Sequence, residues 1–126
     1  MKFAKYTFTI AGIYGLLALL PQYFMEAKNS ADFPPAINHP EYYYGFVGVA
    51  LAFQVVFLII GRDPVRYRPL MLASVIEKFS FAIAAIFLLM QNRIPLPLFG
   101  AAMIDLLLGI FFIISFVVTP KNYQKT

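Results

Sequence analysis

The stretch Leu70–Met90, LMLASVIEKFSFAIAAIFLLM, constrains this chain more than any other. It holds 21 residues, and a helix that crosses a bilayer needs ~20 apolar residues at a rise of ~1.5 Å each. Two ionisable neighbours, Glu77 and Lys78, stand well inside it. A charge near the centre of a bilayer costs at least ~2.5–3.5 kcal/mol, so it is expected to face partners within a bundle and not lipid. The rest of the chain therefore reads as a bundle built around this helix.

Three further apolar runs supply that bundle: residues 6–25, 42–60 and 98–118. Only 13% of the 126 residues are charged and 61% are hydrophobic, whereas a soluble domain carries ~25% charged residues. The expected fold is all-α, an integral membrane bundle of four antiparallel transmembrane helices in a single domain over residues 1–126. The chain has no cysteine, which excludes disulfides, thiol nucleophiles, iron–sulfur clusters and thiolate zinc sites. Its single histidine, His39, reads as a solvated loop residue without a histidine partner. No metal and no cofactor is expected. A net charge of +4 does not point to nucleic acid, because most basic residues flank the ends of the apolar runs, where topology explains them.

The first run follows the basic start MKFAK and so looks like a secretory signal. Cleavage after Ala27 would put Met25 at the −3 position, where a small residue is needed. The run is expected to be retained as a helix that bends or ends near Pro21. Residues 26–41, EAKNSADFPPAINHPE, contain three prolines and three carboxylates, a pattern that disfavours regular helix. Tyr42, Tyr43 and Tyr44 suit an interfacial aromatic belt. In the run they open, Gly45, Gly48 and Ala52 share a face that another helix can approach closely, and Gln54 lies opposite. Gly61 is a plausible helix C-cap, and Pro69 suits the first turn of the third helix. The fourth run closes at Thr119-Pro120.

Lys2, Lys5, Arg62, Arg66, Arg68, Lys121 and Lys125 fall at one end of the expected bundle, and only Lys28 and Arg93 at the other. The positive-inside rule places the first group, with both termini, in the cytoplasm. The connections 61–69 and 91–97 are short, so the second, third and fourth helices are expected to be consecutive antiparallel neighbours.

Chemistry concentrates on two stripes. Ala73, Glu77, Ser80 and Ala84 follow i, i+4, i+7, i+11, which turns a small polar face inward, with Lys78 ~100° away. Ala102, Asp105 and Gly109 make a similar stripe on the fourth run. Axial arithmetic sets Tyr14, Gln54 and Glu77 in one layer and Asp105 about 9 Å above it. Glu77, Asp105, Gln54, Tyr14, Lys78 and Ser80 are thus the candidate polar core, or ligand and proton site. Two readings stand side by side: interhelical glue, or a polar cavity and proton path. Lys78 can instead snorkel to the interface or pair with a carboxylate of another protomer. Arg62, Arg66 and Arg68 either contact anionic lipid or only enforce topology. No GxSxG, HExxH, Walker or GxGxxG signature is present, so no catalytic residue is assigned.

Four short spans, with GRDPVRYRP at 61–69, EKFSF at 77–81 and AAMIDLLLG around Asp105, resemble the small uncharacterised bacterial membrane proteins of the DoxX-like four-helix type. The resemblance implies a bacterial cytoplasmic (inner) membrane protein and carries no active-site motif. Small multidrug-resistance transporters share the size and the four spans, but their membrane-embedded glutamate is in helix 1, where this chain has no carboxylate. The expected function is a non-enzymatic accessory or scaffold component in the lipid bilayer. The alternative is a small proton-coupled transporter, or a hydrophobic-ligand or lipid binder, using Glu77 and Asp105. A homo-oligomer, a membrane-protein partner and a small hydrophobic ligand are the candidate partners.

Overall fold

The computed structural model describes residues 2–121. Lys125, one of the basic residues expected at the cytoplasmic end, lies outside them. Among the described residues five α-helices form: α1 (Lys2–Leu19), α2 (Glu26–Asp32), α3 (Pro40–Arg62), α4 (Leu70–Met90) and α5 (Leu96–Val118). With the 3₁₀ turn Leu20–Phe24 that prolongs α1, four of these elements are long and apolar enough to cross a membrane.

The helix ends follow local chemistry. Pro21 cannot donate to the α-helical ladder, and α1 tightens there into the 3₁₀ turn. Regular helix does occur in the connection expected to lack it. All its prolines lie beyond Asp32, so EAKNSAD is free to wind as α2. Lys28 Nζ donates to Asp32 Oδ2 at 2.8 Å across one turn, and that bond holds its ammonium above the usual lysine range. The connection is tied to the long helices by polar side chains. Asn29 Nδ2 donates to Gln22 Oε1 (2.9 Å) and to the Tyr43 hydroxyl (3.0 Å). The Tyr43 hydroxyl in turn donates to Gln22 O (2.8 Å), and the Tyr44 hydroxyl donates to Glu26 Oε1 (3.0 Å).

Between α3 and α4, the Arg66 amide donates to Asp63 Oδ1 at 3.2 Å, an Asx-type cap that closes the turn. Gly61 does not end α3. The helix continues through Arg62 to a cap at Asp63, and no glycine has positive φ. Prolines at 95 and 97 start α5 two residues earlier than the apolar run indicated.

The helices pack as two pairs, α1 with α3 and α4 with α5, joined by thinner seams between α1 and α5 and between α3 and α4. A short connection therefore does not dictate the most extensive neighbour, since α3 packs mainly on α1 and not on α4. The pairs meet in an aromatic core. Phe8 stacks on Phe112 with centroids 4.1 Å apart, and Phe57 meets Phe112 edge-on at 4.9 Å. Ala4, Ala11, Ile60 and Met71 complete this cluster, all at the end of the bundle that carries the arginine turn.

Elsewhere small residues make up much of the interior. Ala50, Ala82, Ala85 and Ala102 are buried, as are Ser74 and Ser115. Bulky side chains point outward, with Leu17 72%, Ile76 68% and Val117 70% exposed. Water-driven folding would place these side chains the other way round.

Candidate polar site between α4 and α5

Lys78 is the charge that faces inward. Its side chain is 5% exposed, on the buried stripe Met71, Ser74, Lys78, Ala82 and Ala85. The expected inward stripe instead lies on the outer side, with Ala73, Ser80 and Ala84 exposed and Glu77 half-buried. Both stripes have helical period and differ by one residue, or ~100°, so periodicity alone does not choose between them. The packing against α5 chooses. A Cβ placed on Gly109 would lie 3.2 Å from Lys78 Cβ and 2.7 Å from the Phe79 ring. The missing side chain is what lets α5 lie against the root of Lys78.

The ammonium then reaches across the pair. Lys78 Nζ donates to Asp105 Oδ1 at 3.1 Å. Glu77 Oε1 stands 3.7 Å from the same nitrogen, too long for a hydrogen bond, and that oxygen is buried with no hydrogen-bond partner. On the far side Lys78 Nζ lies 5.3 Å from the Phe57 ring centroid, a cation–π approach that links the site to the aromatic core. The stem neither snorkels to an interface nor needs a second protomer.

The two carboxylates consequently share one layer, in contrast to the separation expected from axial arithmetic. Counted from the 91–95 connection that joins α4 to α5, Lys78 lies ~18 Å into α4 and Asp105 ~13.5 Å into α5. The four-carbon lysine stem spans the difference. With all three groups ionised, the cluster carries a surplus of one negative charge.

The other candidates lie apart from this cluster. Gln54 is buried in the α1–α3 pair, where Nε2 donates to Ala50 O at 2.8 Å and Oε1 has no partner. Its side chain fills the notch at Gly15, where a Cβ would collide with it. Gly12 brings the backbones closer still, since a Cβ there would lie 2.9 Å from Gln54 O. Gln54 thus marks the packed face of α3. The expected small-residue face points the other way, with Gly45 and Ala52 exposed and nothing within 4 Å of a Cβ at Gly45. Tyr14 is 43% exposed on the outside of α1 and makes no side-chain hydrogen bond among the described residues. Ser80 donates to the carbonyl of Glu77 at 3.1 Å, a bond within its own helix.

The three arginines divide. Arg68 Nε–H is shared between the carbonyls of Phe116 (3.1 Å) and Thr119 (3.0 Å). Its guanidinium carbon lies 3.7 Å from the Phe116 ring centroid. A cation on the last carbonyls of α5 satisfies orphan acceptors and complements the helix dipole. Arg62 and Arg66 are both exposed. They line an open hollow of about 510 Å³ with Ile59, Asp63 and Tyr67.

Among the described residues no group of three or more His, Cys, Asp or Glu side chains is placed to hold a metal ion. His39 lies in the α2–α3 connection, 3.3 Å from Glu41 Oε2 and stacked on Tyr42. No protein-family model matches the chain, and no curated protein or solved structure is significantly similar to it.

Proposed function

We propose that this chain is an integral membrane protein with four antiparallel spans, a non-enzymatic accessory or scaffold component whose polar cluster fixes the packing of α4 on α5. The membrane reading is supported by the many bulky apolar side chains on the outside and, away from the aromatic core, by the small residues Ala50, Ser74, Ala82, Ala85 and Ala102 within. That is how helices associate when lipid removes the hydrophobic drive between them. The antiparallel order is supported by the α1–α3 notches. Gly61, late in α3, meets Thr9 early in α1, whereas Gln54, earlier in α3, meets Gly15 later in α1. Basic residues at the arginine-turn end support a cytoplasmic side there, and a bacterial inner membrane is proposed only with the DoxX-like resemblance. Kinship with DoxX-like proteins is proposed on the four-span plan alone.

One observation carries the scaffold reading: the buried ammonium of Lys78 spends its one hydrogen bond on the neighbouring helix, at Asp105. A second reading, a proton-linked transporter or a binder of small hydrophobic ligands, is favoured by the buried Glu77 oxygen without a partner. One proton or one cationic ligand would balance the surplus charge there.

The test is proton release from purified protein in detergent on adding lipids and hydrophobic cations. Wild type is compared with folded Glu77→Gln and Asp105→Asn variants. The scaffold reading expects no ligand-linked release and a loss of thermal stability in Asp105→Asn. Ligand-linked release that disappears in Glu77→Gln would overturn it in favour of the second reading.

A further inference from the structure

The polar cluster leaves the second charged feature of the fold unused. Arg62 ends α3, Arg66 lies one turn further along the chain, and both open into the same hollow. Neither guanidinium makes an ion pair or a side-chain hydrogen bond among the described residues. The hollow's one carboxylate, Asp63, has its Oδ1 on the Arg66 amide, where it caps the turn. Two arginines against one acidic group leave the hollow net positive. Arg66 stands 5.6 Å from the Tyr67 ring centroid, and the ring forms part of the wall.

The remaining wall is apolar. Ile59 is 39% exposed and belongs to the same outward face of α3 as Val55 and Ala52. The hollow therefore runs from two free guanidiniums to a flank of bulky and small apolar side chains. A ligand that matches both ends carries a phosphate joined to an acyl chain. Guanidinium forks bind phosphate oxygens in pairs, which an ammonium does not, and a hollow of this volume admits a headgroup as well as its phosphate.

We propose that the Arg62–Arg66 hollow is a binding site for the phosphate headgroup of an anionic membrane lipid. The phosphate sits between the two guanidiniums, the glycerol lies against Tyr67, and an acyl chain runs along Ile59. Arg68 takes no part, being bound to the end of α5. The proposal rests on the membrane reading above.

The experiment uses the full chain, extracted in a mild detergent and presented with equal phosphatidylglycerol and phosphatidylcholine. Retained lipid is counted by native mass spectrometry. At ~1 kcal/mol per arginine near an anionic surface, replacing both should lower the preference for phosphatidylglycerol by roughly 10- to 30-fold. Arg62→Gln/Arg66→Gln is compared with Arg62→Lys/Arg66→Lys, which keeps the charge and loses the forks, and with Arg93→Gln at the opposite end. Far-UV circular dichroism checks that each variant is folded.

Loss of preference in the Gln pair, a partial loss in the Lys pair and none in Arg93→Gln is the expected result. Equal retention by the Gln pair, or equal loss in Arg93→Gln, would overturn the site. Arginine-dependent stabilisation by millimolar inorganic phosphate without retention of phosphatidylglycerol would overturn the lipid as its source. Extraction of the chain from membranes by alkaline carbonate reads out the membrane reading separately.

Discussion

Replacing Lys78 with Met removes the ammonium and keeps most of the stem volume. Asp105 then loses its 3.1 Å donor and Glu77 its counter-charge at 3.7 Å. The approach to Phe57 at 5.3 Å is lost as well. Stranding a buried charge by removing its partner costs ~3–5 kcal/mol. The two carboxylates keep 19% and 22% of their side-chain exposure, which places Lys78→Met near ~3 kcal/mol, the lower end of that range. Asp105→Leu should cost less, ~1–2 kcal/mol, because Glu77 remains to compensate Lys78.

The double variant Lys78→Met/Asp105→Leu leaves only Glu77 ionisable at the site. It should cost ~2 kcal/mol, well below the sum of the single changes, with a coupling energy of about 2 kcal/mol. The assay is reversible unfolding in mixed micelles at rising sodium dodecyl sulfate fraction. The chain has eight tyrosines and no tryptophan, so tyrosine fluorescence reports the transition. Additive losses, with coupling below ~0.5 kcal/mol, would refute an interhelical clamp and show that the two side chains act independently.

The glycine notches give sharper contrasts. Gly15→Ala should cost ~1–3 kcal/mol by collision with Gln54, and Gln54→Ala in the same chain should recover most of the loss, read by the same unfolding assay. Gly61→Ala should destabilise through Thr9, whereas Gly45→Ala, with open space around it, should stabilise by up to ~1 kcal/mol through helix propensity. Equal effects at the two positions would contradict the assignment of the packed face of α3. Arg68→Gln should cost ~1–3 kcal/mol by releasing the end of α5, and amide exchange at Phe116–Thr119 should speed up before that of the rest of the helix.

The long helices were legible because length and apolarity determine them. The bounds Leu70–Met90 agree with α4 to the residue. What could not be read was rotation. A helix with small residues on two faces, Ala73–Ser80–Ala84 and Ser74–Ala82–Ala85, offers two inward stripes, and choosing the one through Glu77 turned Lys78 outward. One signal was present in the sequence. Two carboxylates and a single lysine inside the spans leave that lysine as their only internal counter-charge, which favours its burial between them. On α3 the ambiguity was the same. Glycines were assigned to the interface because they permit close approach, yet permission is not use. The close approach comes from Gly12 and Gly15 on α1 and from Gly61, against side chains the sequence does not pair. On α5, Ala102 and Gly109 of the expected stripe are both buried, with Asp105 between them partly exposed. α2 follows from where the connection's prolines lie, all beyond Asp32, and not from how many there are.

The two helix pairs solve the same problem by different means, and the difference explains where the charge lies. On the membrane reading proposed above, apolar side chains gain little by leaving lipid for one another, so association depends on close packing and on polar bonds. Along α1 and α3 two glycines, Gly12 and Gly61, bring backbone near backbone, and at a third, Gly15, one amide, Gln54, fills the notch. Along α4 and α5 there is one such notch, Gly109. The bond that joins those helices is ionic, between Lys78 and Asp105. We infer that the ion pair, made between single residues, sets the register of α4 on α5 more firmly than the Gly109 notch alone. Glu77, beside that pair and without a hydrogen bond of its own, adds charge where register is already fixed. Glu77→Gln should therefore change stability far less than Asp105→Asn. If Glu77→Gln proved the more damaging, the register of the pair would depend on Glu77, and the geometry around Lys78 would have to be drawn with the two carboxylates in exchanged roles.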